Sequence, residues 1–249
     1  MICLLFLVAI PPLVLAQGVE PERQDDKWAF GVGAYLFAAS IEGVTSIGPK
    51  EIETDVSFSE LIDHVEGAFA AHFEALSPAR VGLGVDYLYT RVGVDGSEPP
   101  LPPIIIDNIS LTSQTLELFG YYRLGDPNIG AGSLDIIGGT RYRSMDNTLD
   151  LRIFDQSLRG DFGASWWDLM AGGRWAKNVH PRVTLSLRAD AGTDAFNAQG
   201  GAAFRIARRF VIVAQYKYLN FDHQQETDLA DFGYDATEQG FLLGIGFHF

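Results

Sequence analysis

The chain has 249 residues, 47% of them hydrophobic, a formal net charge of −14 and a single cysteine, Cys3. So acidic a chain lacks the basic surface that phosphate backbones require, which excludes a nucleic-acid partner. One cysteine excludes an intramolecular disulfide framework and any Cys-rich metal site, so stability must rest on the fold itself.

Residues 2 to 15, ICLLFLVAIPPLVL, carry no charge, and Val14, Leu15 and Ala16 place compact residues where a signal peptidase reads its site. This predicts a signal peptide over residues 1 to 16, cleaved before Gln17, although no Lys or Arg precedes the apolar run. The run is shorter than the roughly 18 to 20 residues of a spanning helix, and no other stretch is as continuously apolar. A buried N-terminal helix is the alternative. Residues 17 to 26 read as a periplasmic N-terminal segment, and residues 27 to 249 as one all-β domain.

From Trp28 onward, glycine, aromatic and β-branched residues are punctuated by turn signals. Ten strands are predicted, near residues 27 to 37, 66 to 75, 81 to 92, 110 to 124, 134 to 145, 166 to 176, 182 to 192, 198 to 206, 210 to 221 and 240 to 249. Alternation is sharpest in the seventh, where Val183, Leu185, Leu187, Ala189 and Ala191 oppose Arg182, Thr184, Ser186, Arg188 and Asp190. Period two fits a soluble barrel as well as a membrane one, so other features must orient the faces.

The polar faces mix small residues with Glu74, Asp86, Glu117, Asp135, Arg141, Arg143, Asp168, Arg174, Arg188, Asp190, Arg205 and Lys217. Opposed charges among glycines suit a lumen filled by paired side chains. Arg188 and Asp190, with Arg174 on the adjoining strand, are the first expected partners. The apolar faces carry aromatics near strand ends. Trp167 and Trp175 are eight residues apart, about 26 Å along a strand, which matches a lipid-facing band bordered by aromatic girdles. The fold class is therefore a single antiparallel transmembrane β-barrel, with ten strands preferred and eight or twelve as alternatives.

Connections alternate in length, as outer-membrane barrels require. The odd ones, residues 38 to 65, 93 to 109, 146 to 165, 193 to 197 and 222 to 239, are long but for one; the even ones, 76 to 80, 125 to 133, 177 to 181 and 207 to 209, are short. The odd connections hold 20 acidic residues against three cations, while the short turns hold Arg80, Lys177, Arg208 and Arg209 against Asp126. Acid thus concentrates at the outer end and base at the periplasmic end. Ser57 and Glu60 form a capping box ahead of Leu61, predicting a short helix in the first loop.

The ending FLLGIGFHF, residues 241 to 249, resembles the C-terminal assembly signal of bacterial outer-membrane proteins, with Phe241, Phe247 and Phe249 as its aromatic members. The segments at Trp28 to Tyr35, Asp55 to Leu61 and Gly82 to Tyr87 resemble the N-terminal third of a family of small, mostly uncharacterised outer-membrane barrels, similar also to porin-like and OmpW-like barrels. The resemblance implies fold, a Gram-negative outer-membrane location and recognition by the barrel-assembly machinery. It carries over no catalytic or ligand residue.

His72 and Glu74 share a face beside Asp86, and a histidine flanked by carboxylates suits a general base. A charged lumen equally accommodates a hydrogen-bonded structural histidine, and no nucleophilic serine stands nearby. His64, and His223 beside Asp222, fall in predicted loops without metal-ligand spacing, which favours solvated histidines over zinc ligands. Asp161 with Asp168, and Asp222 with His223, resemble only faintly the acid and histidine pairs of ten-stranded outer-membrane proteases. The acidic stretch 222 to 239 lacks an EF-hand ladder, yet its carboxylates make divalent cations candidate partners. No catalytic, cofactor-binding or metal residue is assigned. The expected role is a structural or surface-interaction barrel with a charged, filled lumen, in contact with outer-membrane lipid and lipopolysaccharide. A narrow passive channel and a barrel enzyme acting at the rim are the alternatives.

Overall fold

The computed structural model describes residues 27 to 47, 49 to 57, 65 to 95, 104 to 153, 156 to 225 and 231 to 249. The expected signal peptide, the N-terminal segment and the helix expected after Ser57 lie outside these residues, as does His64. Among the described residues eleven strands form one antiparallel sheet: β1 (Ala29–Ile47), β2 (Lys50–Val56), β3 (Val65–Leu76), β4 (Val81–Asp95), β5 (Ile104–Gly125), β6 (Ser133–Ile153), β7 (Gln156–His180), β8 (Val183–Gly192), β9 (Ala195–Arg205), β10 (Phe210–Gln225) and β11 (Phe232–His248). Pairing of β11 with β1 from Gly31 to Ile47 closes the sheet into a barrel. β2 pairs with β1 at Ile41 to Ile47, whereas β3 pairs with it at Ala29 to Tyr35. The two occupy one wall position at different heights, so the barrel is ten-stranded.

Alternate residues settle the faces. Leu36, Leu83, Ile136, Leu169, Leu187, Ile212 and Leu243 are exposed on the outside, whereas Glu74, Glu117, Asp135, Arg141 and Asp190 are buried within. Water would not support so apolar an exterior; a bilayer would, and the ladder closure leaves no backbone edge within it. Glycine makes the interior fit. Side chains at Gly82 and Gly84 would collide with the rings of Tyr121 and Phe119, which lie flat across them from β5.

One end carries short turns, residues 77 to 80, 126 to 132, 181 to 182 and 206 to 209. In the second, Gly125, Gly130 and Gly132 adopt positive φ, and Trp175 Nε1 donates to the Ala131 carbonyl at 2.8 Å. Phe249 seals the seam at the same end: Phe30 N donates to its carbonyl at 2.9 Å and Phe249 N donates to that of Phe30 at 3.1 Å. At the other end the structure corrects the long-loop expectation. Much of residues 38 to 65, 146 to 165 and 222 to 239 continues the strands, and β2 adds a strand within the first. Above the apolar band the outward side chains turn polar, as at Asp222 and Asp235, while Phe221, Tyr234 and Ala236 are buried inside, so the apolar-out alternation that marks a membrane strand reverses there.

Candidate functional site: the charged lumen

Three tiers of inward side chains lie within the barrel. Nearest the short turns, Arg123 grips Asp135 with Nε to Oδ1 at 2.8 Å and Nη2 to Oδ2 at 2.9 Å. Arg174 bonds the same carboxylate through Nη2 at 2.7 Å and reaches across to Glu74, which also accepts from Tyr121 Oη at 3.2 Å. His72 lies 3.2 Å from both Glu74 and Asp86, and Asp86 accepts from Tyr35. These contacts link β1, β3, β4, β5, β6 and β7.

In the middle tier, Arg141 contacts Glu117 at 3.0 Å, Asp168 at 3.2 Å and Asp190 at 2.8 Å. Arg188 bonds Glu117 and Asp190, each at 2.8 Å, and Asn197 donates to Asp190 at 2.7 Å. Lys217 on β10 lies 3.9 Å from Glu117 on β5. Asp168 also accepts from Thr193 Oγ1 at 2.8 Å and from the Asp194 amide at 3.0 Å, tying the β8–β9 turn to the interior.

In the third tier, Arg143 pairs with Glu238, donates to Thr115 Oγ1 at 2.8 Å and lies over the Phe221 ring at 4.7 Å. Beside this tier, Trp166 stacks on His223 with ring centroids 4.3 Å apart and planes 4° from parallel, and His223 Nδ1 lies 2.9 Å from Asp194. Burial makes such satisfaction obligatory, because an uncompensated charge in a low-dielectric interior is costly.

Eleven of the twelve residues expected in the lumen occupy these tiers. Arg205 stands at the end of β9, half-buried beside the β9–β10 turn, on the inward face that it shares with its buried ladder partner Val211. Arg188 and Asp190 pair as expected, but Arg174, their ladder neighbour, turns instead to Glu74 and Asp135. Among the ion-paired residues of the three tiers, Arg123 and Glu238 escaped the sequence reading. Arg123 continues the inward series Glu117, Phe119, Tyr121 at the strand end, and Glu238 was assigned to an acidic loop although it shares the period of Gly240 and Leu242. His223 is likewise corrected: it lies within β10, buried, with Asp194 as its partner, while Asp222 points outward. Asp161 lies outside the described side chains, so its grouping with Asp168 stays an expectation.

The assembly-signal residues lie on the outer face. Phe241 meets the Tyr216 ring edge-on at 5.3 Å, Phe247 meets Phe210 at 5.0 Å and Phe249 stacks on Phe30 at 5.3 Å. Among the described residues no group of histidines, cysteines and carboxylates has the arrangement of a metal site.

Ten closed strands, a charged interior and an apolar girdled exterior make up the fold of a small outer-membrane β-barrel. Neither a protein-family model nor a curated protein matches the chain. Among solved structures, it is similar to the outer membrane protease OmpT from Escherichia coli at 10% identity, with a TM-score of 0.49, covering 89% of this chain and 97% of that one. It is also similar to the translocator domain of autotransporter NalP from Neisseria meningitidis at 12% identity and a TM-score of 0.44, covering 90% and 89%. A third, the attachment invasion locus protein Ail of Yersinia pestis, shares 13% identity at a TM-score of 0.36, covering 90% and 99%.

Proposed function

We propose that the chain is an outer-membrane barrel closed to through-flow, a structural and surface-interaction element with its short turns in the periplasm and its acidic strand extensions outside. The observation that carries this reading is contact between opposite walls. Glu117 and Lys217 stand on strands five positions apart in a ten-position ring, and so do Arg143 and Glu238. A barrel of about eight strands is just filled by its side chains, whereas sixteen or more leave an aqueous channel. With long charged residues meeting mid-lumen at two heights, ten strands fall at the filled end.

The role is not catalytic in this reading. His72 and Asp168, the lumen groups most suited to acid-base chemistry, are buried and held by ion pairs on several sides. The test is conductance in planar bilayers. Wild-type protein should give at most small, infrequent openings, and the Arg174→Ala, Arg188→Ala double variant should conduct more or unfold more readily. A large, steady wild-type conductance would make the barrel a passive channel instead.

A further inference from the structure

The basic short-turn end is unused by a filled-lumen role, and its surface has a definite composition. β7, β8, β9 and β10 are consecutive in the wall, so the β7–β8 and β9–β10 turns are neighbours, and Arg205 N donates to the Arg182 carbonyl between them at 2.8 Å. Together they present Lys177, Arg182, Arg208 and Arg209. No acidic residue occurs from Lys177 to Ala189 or from Ala198 to Phe221, and among the described residues no ion pair engages these four cations. Lys177 pairs in the ladder with Leu185, an exposed member of the outer apolar face, so it projects on the lipid side.

Apolar groups interleave with the charges. Ile206, in the turn itself, is 63% exposed, and Val179, Phe204 and Phe210 are exposed alongside. Exposed apolar side chains beside unpaired cations, at the foot of a lipid-facing wall, match the boundary between acyl chains and headgroups. There the apolar groups insert, and long basic chains extend toward phosphates.

We propose that the β7–β10 rim is a binding surface for anionic phospholipid headgroups of the leaflet at the short-turn end. The inference rests on the barrel being seated in lipid as described above. The continuous lipid-facing wall, rather than a soluble partner, is what borders the patch, and four cations without internal partners supply the complementary charge. Each cation near an anionic surface adds favourable attraction that salt screens.

The test uses purified barrel in phosphatidylcholine vesicles containing either spin-labelled phosphatidylglycerol or spin-labelled phosphatidylcholine, comparing the motionally restricted fractions by electron spin resonance. The expected result is a roughly threefold to tenfold preference for phosphatidylglycerol at low salt, falling toward equality at high salt and in the R182Q/R208Q/R209Q variant. Arg91→Gln, on a cation paired with Glu66 in the opposite half of the wall, should leave the preference intact. If the triple variant fails to fold, Lys177→Gln and Arg182→Gln measured singly should each lower it. No restricted lipid of either kind would overturn the membrane seat itself. Restricted lipid without selectivity, or selectivity unchanged in the variants, would overturn this inference alone. Loss of selectivity to millimolar glycerol phosphate at constant ionic strength would show a free-phosphate site and overturn it too.

Discussion

Arg143 on β6 and Glu238 on β11 join across the full width of the lumen, five strand positions apart whichever way the wall is followed. Removing one partner leaves the other charge buried, at about 3 to 5 kcal/mol, whereas replacing both with apolar residues of similar volume is often far less damaging. Glu238→Ala should therefore lower barrel stability in urea unfolding by that order, and Arg143→Met with Glu238→Leu should recover much of the loss. Strict additivity of the two single losses would show that the pair does not form.

Leu187 is 58% exposed on the outer face, and Ser186 beside it is 7% exposed and accepts from Gln215 Nε2 at 3.1 Å. Leu187→Arg sets a charge against lipid and should cost about 2 to 4 kcal/mol. Ser186→Ala forfeits one neutral hydrogen bond and should cost about 1 kcal/mol. Equal costs in refolding into bilayers would mean that the faces are reversed.

Glycine at position 84 makes room for a ring. Gly84→Ala forces the Phe119 ring off the wall and should cost about 1 to 3 kcal/mol. Gly138 has open space where a side chain would stand, so Gly138→Ala should be neutral within about 0.5 kcal/mol. A thermal melt of both variants separates them; matching losses would reject the packing account.

Deleting Phe249 removes both seam hydrogen bonds to Phe30 and the ring stack over it. The folded, heat-modifiable fraction on gels should fall, with slower assembly into liposomes. Normal rate and yield would show that the seam closes without it.

How far the fold could be read in advance varied along each strand. Where lipid lies on one side and a charged lumen on the other, as around Leu187 and Arg188, period two showed both faces and located the strands. Above the lipid that contrast reverses, with Asp222 and Asp235 outward and Phe221, Tyr234 and Ala236 inward, which is why the upper parts of β6, β7 and β11 passed for loops and Glu238 for a solvated acid. Network membership was mostly legible, because charge on an inward period has nowhere else to go. Partnership was not. Arg174 ignores its ladder neighbour Arg188 for Glu74, and His223 takes Asp194 instead of Asp222. Such choices depend on the curvature of the closed wall, which no local spacing encodes.

The β1–β11 seam ties Phe30 to Phe249, nearly the whole described chain apart. Contacts of such sequence separation exact their loop-closure entropy before returning any energy, so this barrel belongs among high-contact-order, slowly maturing folds. Until the last strand docks, β1 and β10 each present an open row of amides and carbonyls. Each is a template for a strand of another molecule as readily as for its own. A chain stalled before β11 is therefore an aggregation nucleus, and the seam is where escort by other proteins would matter most.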